Sequence, residues 1–365
     1  MLKPLIDFWL SHGNLVPPRG ILDGAVHIVG SRIAAIRPSA PHGVRTISVR
    51  GAYVAPGFID LHVWGDPQVV AQDVARYGTT AFLNALGPEP RAQLIHDVRA
   101  RVHRVVDSGA TCLGLHLEGP FLNPVRGGVL PRRAMRRPTL QELTQLARAA
   151  QGRLKLITIA PELPGALATI RWCVRHKIAA SLGHTDADGA VAARAVAAGA
   201  CAVTHVFNGM RPLRHRDPSL VDVALTDPRL VTMVIADGVH VSRTALRLLL
   251  RAKGPRGVAL VTDSVRHQQD AWKLRQRNGA YYSAGGTLAG SSLSMVRAVR
   301  NAIELGGASL VEAVQMASDT PARVLGLERS YGALQVGRRA DVVVFDKRFR
   351  TRLTIVRGRI VFSAH

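Results

Sequence analysis

LVTMVIADGVH (230–240) and GVALVTDS (257–264) are two of eight apolar, β-rich runs whose succession decides the reading of the fold. Going back toward the N-terminus, the others are ACAVTHVFN (200–208), KIAASLGHT (177–185), LKLITIAPEL (154–163), TCLGLHLEG (111–119), TTAFLNAL (79–86) and AYVAPGFIDLHV (52–63). Each gives way to a turn signal or to a helical pattern, Leu140 to Ala150 and Gly189 to Ala198 among them. Strands that are apolar almost throughout belong to parallel sheets covered on both faces; strands with one wet face alternate. Eight strand and helix alternations predict an α/β fold closed into a (β/α)8 barrel of TIM type. The rival, a doubly wound open sheet, calls for a glycine-rich phosphate loop after the first strand, and none follows it here.

The flanks read differently. AVHIVGSRIAAIRP (25–38) and Thr46 to Val49 are short strand patterns broken by Gly and Pro, and ALQVGRRADVVVFD (333–346) and TRLTIVRGRIVFS (351–363) repeat the style. With 365 residues the chain exceeds the roughly 250 of a bare barrel. The expected division is a small β-sandwich domain from residues 1–52 and 333–365, and a hydrolase barrel over 53–332.

Composition narrows the function classes. At 47% hydrophobic the chain is globular rather than disordered. Its net charge of +23 would suit a nucleic-acid binder, but only six of the 48 basic residues are Lys and the Arg residues run the whole length. Arg132, Arg133, Arg136 and Arg137 form the densest cluster, which reads as a solvated face. No nucleic-acid partner is expected, while an anionic small molecule would benefit from the field. Cys112, Cys173 and Cys201 offer neither CxxC spacing nor an even count, and read as buried small hydrophobes. The patch from Leu5 to Leu10 is interrupted soon after by His12, Asn14, Pro17 and Pro18, and no apolar run approaches the roughly 20 residues of a membrane helix. No membrane association is expected, and the cytoplasm is the expected location.

The informative polar residues fall in one place. His62, Glu118, His184, His205, Asp237 with His240, and Asp263 each stand at or just past the C-terminal end of a run, on the first, third, fifth, sixth, seventh and eighth. Those ends converge on one mouth of a barrel, where active sites are built. A lone strand histidine is ordinarily a hydrogen-bonded core residue, but six coincidences at one mouth point to chemistry. Two imidazoles and a carboxylate leave a coordination position open, as a catalytic metal site requires. Asp263 then suits a general base that passes a proton to a leaving amine, although Asp also caps helices well.

PGFIDLH (56–62), HLEGPFL (116–122), LGHTDA (182–187), THVFNGM (204–210), IADGVHV (235–241), LVTDS (260–264), GGTLAGSSLSM (285–295) and ASDTPARVLGL (317–327) carry a resemblance over nearly the whole chain. In content and order they resemble the N-acetylglucosamine-6-phosphate deacetylase family, a branch of the amidohydrolase superfamily. The resemblance implies hydrolysis of an N-acyl amino sugar, phosphorylated in the family, with one divalent metal held by Glu118, His184 and His205. Zinc is the first expectation, with iron or another divalent ion as the alternative. It further implies Asp263 as the catalytic residue, Asn208 and Gly209 as sugar contacts, and Leu288, Ala289 and Gly290 as pocket wall. Arg216 and His240 would reach the substrate and its phosphate, in a homodimer whose interface they help to build.

Two positions depart from the family pattern. Where many amidohydrolases open with His-x-His, this chain follows His62 with Trp64, so one metal is expected rather than two. His62 is then a hydrogen-bonding residue near the site or a core residue. Where the family has a His that contacts the acetyl carbonyl, VRGGVL (125–130) ends in Leu130. Losing one such donor typically costs about 100- to 1000-fold in rate. Either a neighbour replaces it, or the substrate is a different N-acyl compound, or turnover is weak. A non-catalytic relative is the reading from another class, and the joint presence of Glu118, His184, His205 and Asp263 speaks against it.

Overall fold

The computed structural model describes residues 6–104 and 108–364; residues 1–5 and 365, at the outer ends of the expected small domain, lie outside that range, Leu5 included. Eight parallel strands follow one another in sequence order: β1 (Phe58–Trp64), β2 (Thr79–Leu86), β3 (Thr111–Glu118), β4 (Leu154–Ile159), β5 (Ala179–Leu182), β6 (Ala202–Val203), β7 (Val231–Val234) and β8 (Val258–Leu260). Every residue of β1 and β2 is buried, as a sheet lined inside and covered outside by helices demands. The helices begin where capping chemistry places them. Thr139 accepts a hydrogen bond from the Glu142 amide ahead of Leu140–Ala149, and Asp188 accepts from the Val191 amide ahead of Gly189–Ala197. Their apolar faces join one continuous core with the strands, including Leu143, Leu146, Ala192 and Val196.

The ring closes between β8 and β1 by a seam of a different kind. Past the end of β8, Ser264 bridges to Val63, and the Trp64 amide donates to the Ser264 carbonyl at 3.0 Å. Below it the buried Asp60 carboxylate accepts from the Thr262 hydroxyl at 2.5 Å and the Thr262 amide at 3.2 Å, and from the His62 amide at 3.1 Å. Burial lifts the Asp60 carboxyl to about 6, against the pull of these hydrogen bonds.

The apolar run at 52–63, which reads as one strand in the sequence, divides at Gly57. Tyr53–Pro56 pairs antiparallel with Val342–Phe345, in the sheet made by the two termini, and β1 starts one residue beyond the glycine. A Cβ on Gly57 would lie 2.2 Å from Thr80 side-chain atoms, so only glycine fits this crossing. Among the described residues the terminal sheet has eight strands, drawn from Asp7–Pro56 and Val342–Ser363. It has a core of its own, with Phe8, Leu10, Val26, Ile28, Val342 and Ile355 among its buried side chains. A further three-stranded antiparallel sheet that no sequence pattern announced, Arg275–Arg277, Ala280–Tyr282 and Leu288–Ser291, follows β8. Its last strand packs on the peptide of Asp263: the Ser291 amide donates to the Asp263 carbonyl at 2.9 Å.

Candidate active site

Glu118 is the last residue of β3, and His184 and His205 each stand two residues past their strands β5 and β6. His184, His205 and Asp263 all have left-handed backbones, with φ of 46°, 29° and 47°. Such conformations cost non-glycine residues roughly 1–3 kcal/mol each and persist only where the surroundings enforce them. All three carry polar side chains toward the same mouth.

The geometry centres on the Glu118 carboxylate, which is buried. Its Oε1 lies 2.9 Å from His184 Nε2 and 2.7 Å from His205 Nε2, and its Oε2 lies 3.3 Å from His62 Nε2. Asp263 Oδ1 accepts the Trp64 indole N–H at 2.9 Å and lies 3.3 Å from the same His62 nitrogen. Burial disfavours a charged Glu118, but the field of His62 and the contacts from His184 and His205 hold its carboxyl well below the usual range. Burial likewise opposes protonation of His62, yet Glu118 and Asp263 beside it lift that imidazole to about 10. His184 is raised in the same way, burial being outweighed by Glu118.

These side chains fit a divalent cation. His184 Nδ1 is 2.8 Å from the Arg126 carbonyl oxygen and donates its hydrogen there, so a neutral ring turns the lone pair of Nε2 toward a carboxylate oxygen. Two acceptors face each other at hydrogen-bond distance, and a proton or a cation between them reconciles the contact. His205 Nδ1 and His62 Nε2 are buried with no hydrogen-bond partner among the described residues. Imidazoles with a carboxylate are the donor set of open, catalytic zinc-type sites. Among the described residues, the group whose ligand atoms all lie within 4.8 Å of one another is His62, Glu118 and His205. It differs by one histidine from the Glu118, His184 and His205 expected from the sequence, although His184 touches the same carboxylate oxygen. Of the two sequence readings of His62, the structure favours the one at the site over plain core packing.

Sequence reasoning missed what lies beneath. His116 Nδ1 is 2.7 Å from His62 Nδ1 and 3.0 Å from the Leu61 carbonyl oxygen, and His116 Nε2 is 2.8 Å from the Thr158 hydroxyl. The chain continues through Thr204 to Ser181 at 2.8 and 2.6 Å. Burial and the neighbouring His62 push His116 well below its ordinary value. A signal was available: His116 precedes Glu118 by two residues and Asp60 precedes His62 by two, and residues so spaced share one face of a strand.

Above the carboxylate lies a cavity of about 250 Å³, walled by Glu118, His184, His205 and Asp263 together with Asn208, Gly209, His240, Leu288, Ala289 and Gly290. At Gly209, φ 61°, a Cβ would stand 2.9 Å from His184 Nδ1, so the chain passes the imidazole at a distance only glycine allows. His240 is oriented by Asp237, whose Oδ2 lies 2.6 Å from its Nδ1. Leu130 and Trp64 complete the wall, within an apolar cluster that includes Met135, Val265 and Tyr281. Arg216 is the exception among the expected site residues: it is exposed, outside this wall, and its Nε donates to His215 Nε2 at 3.0 Å.

A barrel with this mouth, in a chain whose residues 53–361 match the model of the amidohydrolase family, belongs to that metal-dependent family. More particular relatives extend the likeness over nearly the whole chain. N-acetylglucosamine-6-phosphate deacetylase of Bacillus subtilis (strain 168) is 32% identical, covering 94% of this chain and 92% of its own length. N-acetylgalactosamine-6-phosphate deacetylase of Escherichia coli O157:H7 is 33% identical, covering 95% and 97%. Among solved structures, a mutant N-acetyl-D-glucosamine-6-phosphate deacetylase from Mycobacterium smegmatis, in complex with N-acetyl-D-glucosamine-6-phosphate, superposes with a TM-score of 0.89 at 29% identity, covering 98% of this chain and all of that one.

Proposed function

We propose that this protein hydrolyses the amide of an N-acetyl amino sugar 6-phosphate, with one divalent cation held by Glu118, His184 and His205 and with Asp263 as the proton carrier. The observation that carries the reading is the convergence of His184 and His205 on one carboxylate oxygen of Glu118, in a cavity that Asp263 also lines, in a chain whose relatives bear deacetylase names. The chemistry supplied by a bound cation is Lewis acidity, which polarises a carbonyl and lowers the pKa of water toward about 7. Zinc suits the donor set; iron or another divalent ion is the alternative.

The chain's own residues do the rest. In the hydrolysis the C–N bond breaks, a C–O bond forms from water, one water proton travels through Asp263 to the leaving nitrogen and the other is released from the new acid, giving a free amine, a carboxylate and a proton. Trp64 holds Asp263 by Oδ1, which leaves Oδ2 to take that proton. Asn208, Gly209 and the Leu288–Gly290 strand shape the sugar pocket, and His240, fixed by Asp237, faces the substrate. The exposed Arg216 serves the phosphate of a neighbouring subunit in a homodimer, and the positive charge of the chain draws the anion in. The enzyme works in the cytoplasm.

The test is acetate release from N-acetylglucosamine 6-phosphate by protein stripped with chelator and reloaded with zinc. Turnover that vanishes on stripping and returns on loading is expected. Failure to release acetate from either the phosphorylated or the unphosphorylated sugar would sink the reading. Arg216→Ala is expected to depress use of the phosphorylated sugar about 10-fold more than the unphosphorylated one, since Arg pairs with phosphate through charge-assisted hydrogen bonds.

A further inference from the structure

Strand β4 brings no candidate residue to the mouth, yet Glu162 follows it, three residues past Ile159. Its carboxylate accepts from the loops on either side. Oε1 takes an Asn123 Nδ2 hydrogen at 2.8 Å and the Asp186 amide at 2.7 Å, and Oε2 takes the Thr185 hydroxyl. Asn123 lies in the loop after β3 and Thr185 and Asp186 in the loop after β5, and β4 runs between those two strands. One carboxylate therefore ties together the segments that flank its own strand. Three donors meet on it, and an ionised carboxylate offers acceptors to all of them, whereas an amide in its place would turn a donor toward one.

The bond to Asn123 has a consequence at His184. An Asn side chain has one accepting and one donating end. With Nδ2 given to Glu162, Oδ1 faces the Val125 amide at 2.9 Å and opens the short 3-10 turn Pro124–Arg126. The Asn123 amide lays this turn on the β5 loop by donating to the His184 carbonyl at 2.9 Å, and the last residue of the turn, Arg126, presents the carbonyl that takes the His184 Nδ1 hydrogen. The Arg126 guanidinium also pairs with Asp186 at 2.6 Å, but both side chains are partly exposed, where such pairs contribute little.

Resting on the metal-site reading above, we propose that Glu162 is a positioning residue of that site: by clamping the β3 and β5 loops it keeps the His184 hydrogen on Nδ1, and so keeps the Nε2 lone pair aimed at a cation beside Glu118. Glu162 is not among the residues that wall the reaction cavity, and it acts through Asn123 and the Arg126 carbonyl. Should that carbonyl drift, the ring loses the partner that sets both its angle and its tautomer. The loop that begins with this turn also carries Gly128, Val129 and Leu130 to the cavity, so the clamp holds the apolar wall in register with the ligands.

The experiment measures zinc affinity of the metal-free full chain by competition with a chromophoric chelator. Glu162→Gln, equal in size, is expected to weaken binding about 10-fold and Glu162→Ala about 100-fold, the range that loss of partners behind metal ligands produces. Cooperative thermal unfolding of the metal-free variants reports that they fold, and Glu162→Gln decides the matter should the alanine variant not. A second readout is the His184 Nδ1 proton of the zinc-loaded chain, followed by NMR with 15N-labelled histidine. Its exchange with water is expected to be at least about 10-fold faster in Glu162→Gln, with the other histidine protons unchanged. Zinc affinity of Glu162→Gln within about 2-fold of wild type, or an unchanged His184 exchange rate, overturns the role of Glu162 and leaves the metal reading standing. A wild-type chain that binds no zinc overturns both.

Discussion

On the side of β5 and β6 the strand ends bring His184 and His205 to one oxygen of Glu118, whereas on the side of β1 the residue two past His62 is Trp64, and the loop after β3 adds Leu130. The first side concentrates charge and fixes it with partners: the Arg126 carbonyl for His184, and backbones bent into the left-handed region for both histidines. Past His62 the second side is apolar but for one indole N–H, which it gives to Asp263. One wall determines what bond the site breaks, and the other determines what shape of molecule brings that bond in. The two tasks are separable in the structure because they rest on different side chains, although β1 and β3 serve both.

That separation can be broken by mutation, and the largest effect lies at Asp263. Asp263→Asn is expected to lower kcat by about 1,000-fold or more while metal content measured by elemental analysis stays unchanged, because the residue moves a proton and keeps its place by Trp64. A variant retaining most of its activity would remove Asp263 from the reaction. On the apolar side, Leu130→His should raise kcat/KM for an acetyl substrate by about 100-fold if a carbonyl contact is what that wall lacks. No gain, in a variant that still unfolds cooperatively near the wild-type temperature, would show that shape alone governs this wall.

Smaller effects sharpen the boundary between the sides, and His62 stands on it. His62→Gln is expected to weaken metal affinity by about 10- to 100-fold, the usual consequence of removing a residue that orients ligands, with the native protein holding close to one ion per chain. Two tightly held ions, or complete loss of metal in the variant, would place His62 in the coordinating set proposed here for Glu118, His184 and His205. The least damaging change is Trp64→Phe, which keeps the apolar ring and removes the donor. A fall of about 10-fold in kcat with KM for an acetyl substrate unchanged is expected, corresponding to one hydrogen bond to a charged group. A change confined to KM would instead make Trp64 a wall residue alone.

Much of this was legible in the sequence because β-rich runs and polar punctuation are local properties. The eight runs became eight barrel strands, and Leu140 and Gly189 open helices as their caps predict. Glu118, His184, His205, Asp263 and His240 gather at one mouth because strand ends in a parallel barrel have no other place to go. What escaped depends on crossings and partners. The run at 52–63 has continuous apolar character whether it is one strand or two, and only the contact of Gly57 with Thr80 divides it. His116 and Asp60 read as ordinary strand residues until the strands bearing His62 and Thr262 stand beside them. Arg216 rests on the family resemblance, and a matched position in a loop does not say which surface the side chain reaches.

The seam where β8 meets β1 gives the reaction centre a mechanical dependence on the barrel's last closure. Asp263 sits between Thr262, fastened to Asp60, and Ser264, fastened to Val63 and Trp64. Neither neighbour belongs to a long ladder, so a breathing motion at this joint would carry Asp263 away from His62 while Glu118, His184 and His205 stayed assembled on their own strands. Amide exchange at Trp64, whose N–H spans the joint to the Ser264 carbonyl, reads that opening directly. Its protection factor thus reports the fraction of time that the proton carrier is away from its post.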